Sequence, residues 1–136
     1  MRIEDYFLQI QKVVESCSVI QLSNVTYDKR GTHEGFIRGK LQFVNSSTLH
    51  WREFVDVEIT VDRLMYVYQY MDSADMIVFR YDNTGHHKNL NLSTYPHHKH
   101  EGCDNNVVPS VTKDLANVLK EIEALQEIEW VNYQVF

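Results

Sequence analysis

The sequence predicts an α+β fold, a mainly antiparallel sheet of about five or six strands with an N-terminal and a C-terminal helix. Three observations carry this expectation. Apolar residues recur at helical steps at the start of the chain, the period shortens to two through the middle, and a helical stripe returns after Pro109.

The first segment places Ile3, Phe7, Ile10, Val14 and Cys17 at steps of four, three, four and three. That is the stripe of an amphipathic helix with one buried face, broken around residues 16–18, with Cys17 as a buried thiol. Residues 18–27 and 35–44 are rich in Val, Ile, Thr, Tyr and Phe and read as strands, with Asp28-Lys29-Arg30-Gly31 as the turn between them. After the polar break Asn45-Ser46-Ser47, Val55, Val57, Ile59 and Val61 alternate with Phe54, Asp56, Glu58 and Thr60, as a half-buried strand should. Glu53 falls on the inward row of that strand, in line with Trp51 and Val55. A buried carboxylate is costly unless paired, so Glu53 meets a cation such as Arg80, or the strand bulges, or the sheet opens there into a cleft.

Residues 64–71 and 74–82 read as a hairpin around Asp72-Ser73, with Tyr66, Tyr68 and Tyr70 as a covering face rather than a base-stacking platform. Pro109-Ser110 is a helix start with Ser110 as N-cap. Val111, Leu115, Val118, Leu119, Ile122 and Leu125 form its apolar face. Residues 129–136 alternate again and suggest a last strand. No linker, repeat or low-complexity tract divides the chain, so residues 1–136 are expected to form a single domain.

Composition is that of an ordinary soluble protein: 43% hydrophobic and 24% charged residues, with apolar runs too short to span a membrane. The start Met1-Arg2-Ile3-Glu4-Asp5 lacks the pattern of a secretory signal, and two cysteines make no disulfide framework, so the cytoplasm is the expected location. The net charge of −6 is uneven. Residues 80–100 carry +2 before any histidine is protonated, leaving −8 to the remainder. A local basic segment on an acidic body suits an anionic substrate, but it is not the broad basic footprint of a general nucleic-acid binder.

Five of the seven histidines, His86, His87, His97, His98 and His100, fall within this segment beside Arg80, Lys88, Lys99 and Asp82. Three chemistries use such a set. Histidines can serve as general acid and base in phosphodiester cleavage, with Arg80, Lys88 or Lys99 holding charge on the phosphorane. If residues 97–100 run extended, His98 and His100 share a face and His97 and Lys99 point the other way. Alternatively His-x-His chelates a divalent metal with His86 or His87, although no Cys-x-x-Cys or His-Glu-x-x-His accompanies it. Nucleophilic catalysis by Cys103 has no supporting feature. The bland alternative is a histidine-rich surface loop; lone His33 and His50 are read that way, as ordinary loop or strand-end residues.

Phe79-Arg80-Tyr81-Asp82-Asn83, then His86-His87, then Tyr95-Pro96-His97-His98-Lys99-His100 resembles the TumE-type toxin family of prokaryotic toxin–antitoxin systems. Leu49-His50-Trp51-Arg52-Glu53-Phe54 is similar to that family's Leu-x-x-Arg-Glu strand, and the likeness covers most of the chain. Thr84-Gly85 stands where a proline is expected before the first histidine pair. The resemblance implies a toxin encoded beside a DNA-binding antitoxin.

Joined to the acid–base set, it gives the leading expectation of a type II toxin that is a metal-independent endoribonuclease with no cofactor. His98 and His100 are the first acid–base candidates, with His97, His87 and His86 in reserve. Arg80, Lys99, Lys88 and Arg52 would hold phosphate, and Asp82 or Glu53 would orient an imidazole or pair with Arg80. The expected partners are RNA and the antitoxin, in a homo-oligomer or a toxin–antitoxin hetero-oligomer, with no membrane. The rival from another class is a non-enzymatic metal-binding or interaction protein, antitoxin-like in role. A metal-dependent hydrolase or a nucleotide transferase acting on RNA stays open.

Overall fold

The computed structural model describes residues 1–83, 98–101, 107–109 and 113–135. In chain order the elements are α1 (Ile3–Glu15), β1 (Ile20–Lys29), β2 (Glu34–Phe43), β3 (Thr48–Asp56), β4 (Asp62–Met71), β5 (Ile77–Asp82), β6 (His98–Glu101), β7 (Val107–Pro109) and α2 (Leu115–Val135). All the strands lie in one sheet in sequence order, each antiparallel to the next. The expected α+β class holds. Among the described residues the sheet has seven strands, because part of the histidine-rich segment is itself strand β6 and Val107–Pro109 add β7 beside it.

Both helices cover the same face of the sheet. Ile3, Tyr6, Phe7 and Ile10 of α1 and Leu115, Val118, Leu119 and Ile122 of α2 form one buried cluster with Ile37, Leu41, Trp51, Tyr68 and Phe79 of the sheet. Each large apolar side chain so buried contributes about 1.5–3 kcal/mol. Helix α1 opens with Glu4 and Asp5 in its first turn and carries Lys12 in its last, the arrangement its dipole favours. Its close approach to β2 depends on Gly35, where an added Cβ would lie 2.6 Å from Cζ of Phe7. Cys17 is buried as expected, and burial pushes its thiol up to about 11.

Three expectations are corrected. The alternation beyond Asp56 is not strand: Ile59 is 97% exposed and Val61 is also exposed. The register of β3 with β4 shifts between Phe54 and Val55, and the Asp56 side chain accepts a hydrogen bond from the Glu58 amide at 2.9 Å, turning the chain out of the sheet. Asp114, not Ser110, caps α2, accepting from the Asn117 amide at 2.9 Å on its side chain. Ser110 itself lies outside the described residues. Residues 129–135 continue α2 rather than forming a strand. A helix already nucleated propagates at little further cost, and eight alternating residues are too weak a signal to stop it.

Candidate functional site

The face of the sheet opposite the helices follows from strand alternation and register. Residues that meet the core, such as Ile37, Trp51, Glu53, Tyr68 and Tyr81, put their immediate neighbours on the other side. Register then joins those neighbours into two cross-strand rows. One runs Thr26, Arg38, Arg52, Val67, Asp82; the other runs Asn24, Lys40, His50, Gln69, Arg80, His100. Adjacent members sit one strand spacing apart, about 4.8 Å. A cleft of about 320 Å³ opens on this face, lined among others by Arg38, His50, Arg52, Gln69 and Arg80. Arg38, His50 and Arg52 are exposed and Arg80 is half-buried.

At the β5–β6 end of the cleft lies a compact constellation. The Asp82 carboxylate is 0% exposed and accepts a hydrogen bond from Nε of Arg80 at 3.1 Å. Nε2 of His100, itself 3% exposed, approaches the same Oδ2 atom at 3.3 Å. One buried carboxylate oxygen thus accepts from a guanidinium that lines the cleft and stands close to an imidazole from the neighbouring strand. Asp82 pairs with Arg80, and the His100 imidazole lies near enough for the carboxylate to bear on it. His98 occupies the register position opposite Asp82.

Asn83 explains why the motif ends where it does. Its side-chain oxygen accepts from the Tyr66 amide at 2.8 Å and its Nδ2 donates to the Leu64 carbonyl at 3.3 Å, pinning the end of β5 to β4. That fixes the backbone on which Arg80 and Asp82 stand.

Two other expected members lie on the opposite side of the sheet. Lys99 faces the helices: its Nζ sits 4.9 Å from the Tyr81 ring centroid and 3.4 Å from Oε2 of Glu121. Burial works to lower its pKa, but Tyr81, Glu121 and Glu101 outweigh it and hold the ammonium above its usual value. Tyr81 in turn donates to Glu121 at 2.6 Å, and burial with that carboxylate pushes its hydroxyl up to about 12. Alternation therefore separates Lys99 from His100 although they are neighbours in sequence, and makes Lys99 a tie between β6 and α2.

Glu53 is likewise on the helix side, fully buried, and its partner is not Arg80. Tyr6 and Tyr68 donate their hydroxyls to its two oxygens, the latter at 2.9 Å, and Arg63 donates to the Tyr68 hydroxyl at 2.8 Å. Arg63 also donates to the Lys113 carbonyl just before α2. The network joins α1, the sheet and the start of α2. Burial raises the Glu53 carboxyl above its usual 4.5, against the two tyrosines and Arg63. A raised folded-state pKa means that the folded protein binds this proton more tightly than the unfolded chain. Its contribution to stability is then fullest below about pH 4.5 and is lost as pH rises through the folded-state value. Glu53→Gln removes the titration, so its melting temperature should gain on wild type as pH rises from 4 to 8. Parallel melting curves over that range would contradict this.

Arg38, Lys40 and His50 were not foreseen as site residues. Alternation in Arg38-Gly39-Lys40 and His50-Trp51-Arg52 shows that each pair shares a face, but only the register brings the pairs beside Arg80. His50 keeps a lowered pKa, from burial and then from Lys40. His86, His87, Lys88, His97 and Cys103 lie outside the described residues. Among the described residues no group of three or more His, Cys, Asp or Glu side chains is placed to hold a metal ion.

Fold and site by themselves define an α+β protein with a cationic open sheet face, suited to an anionic partner. Comparison with known families makes the assignment specific: the family described as toxin TumE matches residues 10–126, which include both arginine-bearing strands and the Asp82–His100 constellation. The chain belongs to the TumE toxin family, and such a toxin implies an antitoxin as partner. No curated protein and no solved structure matches the chain. Among the described residues no helix is long and apolar enough to cross a membrane.

Proposed function

We propose that the chain is the toxin of a type II system, acting in the cytoplasm as a metal-independent endoribonuclease on its open sheet face. The observation that carries this reading is the buried Asp82 carboxylate shared between Arg80 and His100 at the end of an arginine-lined cleft. Arg38, Arg52 and Arg80 span three strand spacings, about 14 Å, and so follow a phosphate backbone rather than a single phosphate. Arg80, held in place by Asp82, stabilises the charge that develops on the phosphorane.

Acid and base roles fall to histidines, His100 first because its Nε2 stands 3.3 Å from Asp82, with His98 as its partner and His97, His87 and His86 in reserve. Lys88 would add a further phosphate contact. In the reaction a histidine takes the proton of a ribose 2′-hydroxyl, and that oxygen forms a bond to phosphorus. The bond to the 5′-oxygen then breaks, and a second histidine supplies the proton that this leaving oxygen takes up. A DNA-binding antitoxin would neutralise the toxin in a hetero-oligomer.

The test is purified protein incubated with RNA in EDTA. Products should carry a 2′,3′-cyclic phosphate or the 3′-phosphate derived from it, with 5′-hydroxyl ends, and 2′-deoxy substitution at the cut should block cleavage. Products with 3′-hydroxyl and 5′-phosphate ends, or loss of activity in EDTA, would overturn the mechanism. Absence of any cleavage, with growth arrest intact, would overturn the nuclease reading itself.

A further inference from the structure

Beside the arginine-lined cleft, the open face has a second recess of about 450 Å³, lined by Thr26, Asp28, Arg30, Phe36 and Arg38. Arg38 borders both. Phe36 on β2 stands opposite Phe54 on β3 in the register, and both rings are half-buried on the face that the helices do not cover. The guanidinium carbons of Arg38 and Arg30 lie 5.7 and 6.0 Å from the Phe36 ring centroid. Arg30 is steadied there by Asp28, with its Nε 2.8 Å from Oδ2. Across both recesses four arginines, Arg30, Arg38, Arg52 and Arg80, line the surface against two carboxylates, Asp28 beside Arg30 and the buried Asp82 beside Arg80. This excess of positive charge stands on a chain whose net charge is −6.

A half-exposed aromatic ring flanked by guanidinium groups, next to a phosphate-binding row, is the combination that holds single-stranded nucleic acid. The ring offers a stacking surface to any base, and the cations hold the backbone on either side. A duplex cannot use such a recess, because its bases are already stacked and paired. We propose that the Phe36 recess binds one unpaired nucleobase of an RNA strand, stacked on the Phe36 ring between Arg30 and Arg38, while the adjoining phosphates run over Arg38 and Arg52 toward Arg80. The proposal rests on the reading that the open face takes RNA, and it makes the substrate single-stranded at a position displaced from the site of cleavage. The cross-strand pair of Phe36 with Phe54 also stabilises the sheet, so the test must separate stacking from folding.

The probe is a fluorescently labelled 2′-O-methyl RNA decamer, which lacks the attacking hydroxyl and survives incubation. It is used as a single strand, as a duplex, and as a strand whose central nucleotides are abasic. Binding by wild type and by Phe36→Leu is read by anisotropy, with thermal melts confirming that both are folded. Phe36→Leu keeps apolar bulk but removes the ring. Wild type should prefer the base-bearing single strand over the other two, and Phe36→Leu should lose about five- to hundredfold in affinity for that strand alone. Equal binding of the single strand by both proteins, or the same loss for the abasic strand, would overturn the stacking proposal while leaving the cleavage reading in place. Failure of wild type to bind any of the three would overturn both. Should Phe36→Leu not fold, Phe36→Tyr, which keeps the ring, is expected to bind like wild type, and a loss there would overturn the proposal.

Discussion

Asp82→Asn should abolish growth arrest on expression and lower RNA cleavage by about 10²–10⁴-fold. The substitution is isosteric and leaves an oxygen able to accept from Nε of Arg80, now at 3.1 Å. It removes the negative charge that holds the Arg80 guanidinium toward the cleft and that stands 3.3 Å from Nε2 of His100. An amide in that place can also present its NH₂ group to the imidazole and turn the ring or reverse its tautomer, the kind of loss that disables carboxylate–imidazole pairs elsewhere.

The His100→Gln variant should be as inactive, because it removes the ring and keeps Asp82. Both side chains are buried, so each variant needs a thermal melt beside the toxicity assay; a folded, inactive protein is the expected result. A folded Asp82→Asn protein that arrests growth as wild type does would remove the constellation from the mechanism. Arg80→Lys refines the assignment. It keeps the charge but loses the planar fork that reaches carboxylate and phosphate together, and cleavage should fall with little change in stability.

Gly39→Ala should be the most damaging single methyl addition in the sheet. Gly39 on β2 stands opposite Trp51 on β3, and a Cβ there would fall inside the van der Waals radii of three indole carbons. Trp51 is 1% exposed and among the largest fully buried side chains, so moving its ring disturbs the core packed around it. In an ordinary strand the substitution would stabilise by about 0.4–1 kcal/mol through the unfolded state. Overpacking costs about 1–3 kcal/mol, and displacing the indole approaches the roughly 3–5 kcal/mol lost when a buried tryptophan is truncated. The clash therefore wins.

Urea unfolding of Gly39→Ala should show a midpoint well below wild type. In a double-mutant cycle, Gly39→Ala should cost less in a Trp51→Phe background, where the smaller ring makes room. Additive effects, or an unchanged midpoint for the single variant, would mean that the indole does not lie over the glycine.

Much of this molecule was legible before folding was considered. The helical stripe of Ile3, Phe7, Ile10 and Val14, and the alternation around Trp51, Glu53 and Val55, are direct consequences of the periods of helix and strand. They hold because one face of each element is buried. The motif Phe79-Arg80-Tyr81-Asp82-Asn83 with the histidines that follow was enough to point to the toxin family that matches residues 10–126. Where local pattern misled, a competing local interaction or simple continuation decided the outcome. The Asp56 turn ended β3, and α2 ran on through residues that alternate.

What only the tertiary structure decided is which charges meet. Arg38, Arg52 and Arg80 come from three separate strands, and only the register of β2 through β5 sets them on one face. The same pleat sends Lys99 to the helices and His100 to Asp82, though a single peptide bond separates them. Glu53 shows the limit most plainly. Its place on the inward row was visible in the sequence, but its partners were not, because Tyr6 lies 47 residues away on α1 and reaches the carboxylate only when that helix docks. Periodicity fixes the direction in which a side chain points, since that follows from backbone geometry alone. The identity of what it touches is set by packing between elements distant in sequence, and no local pattern encodes that.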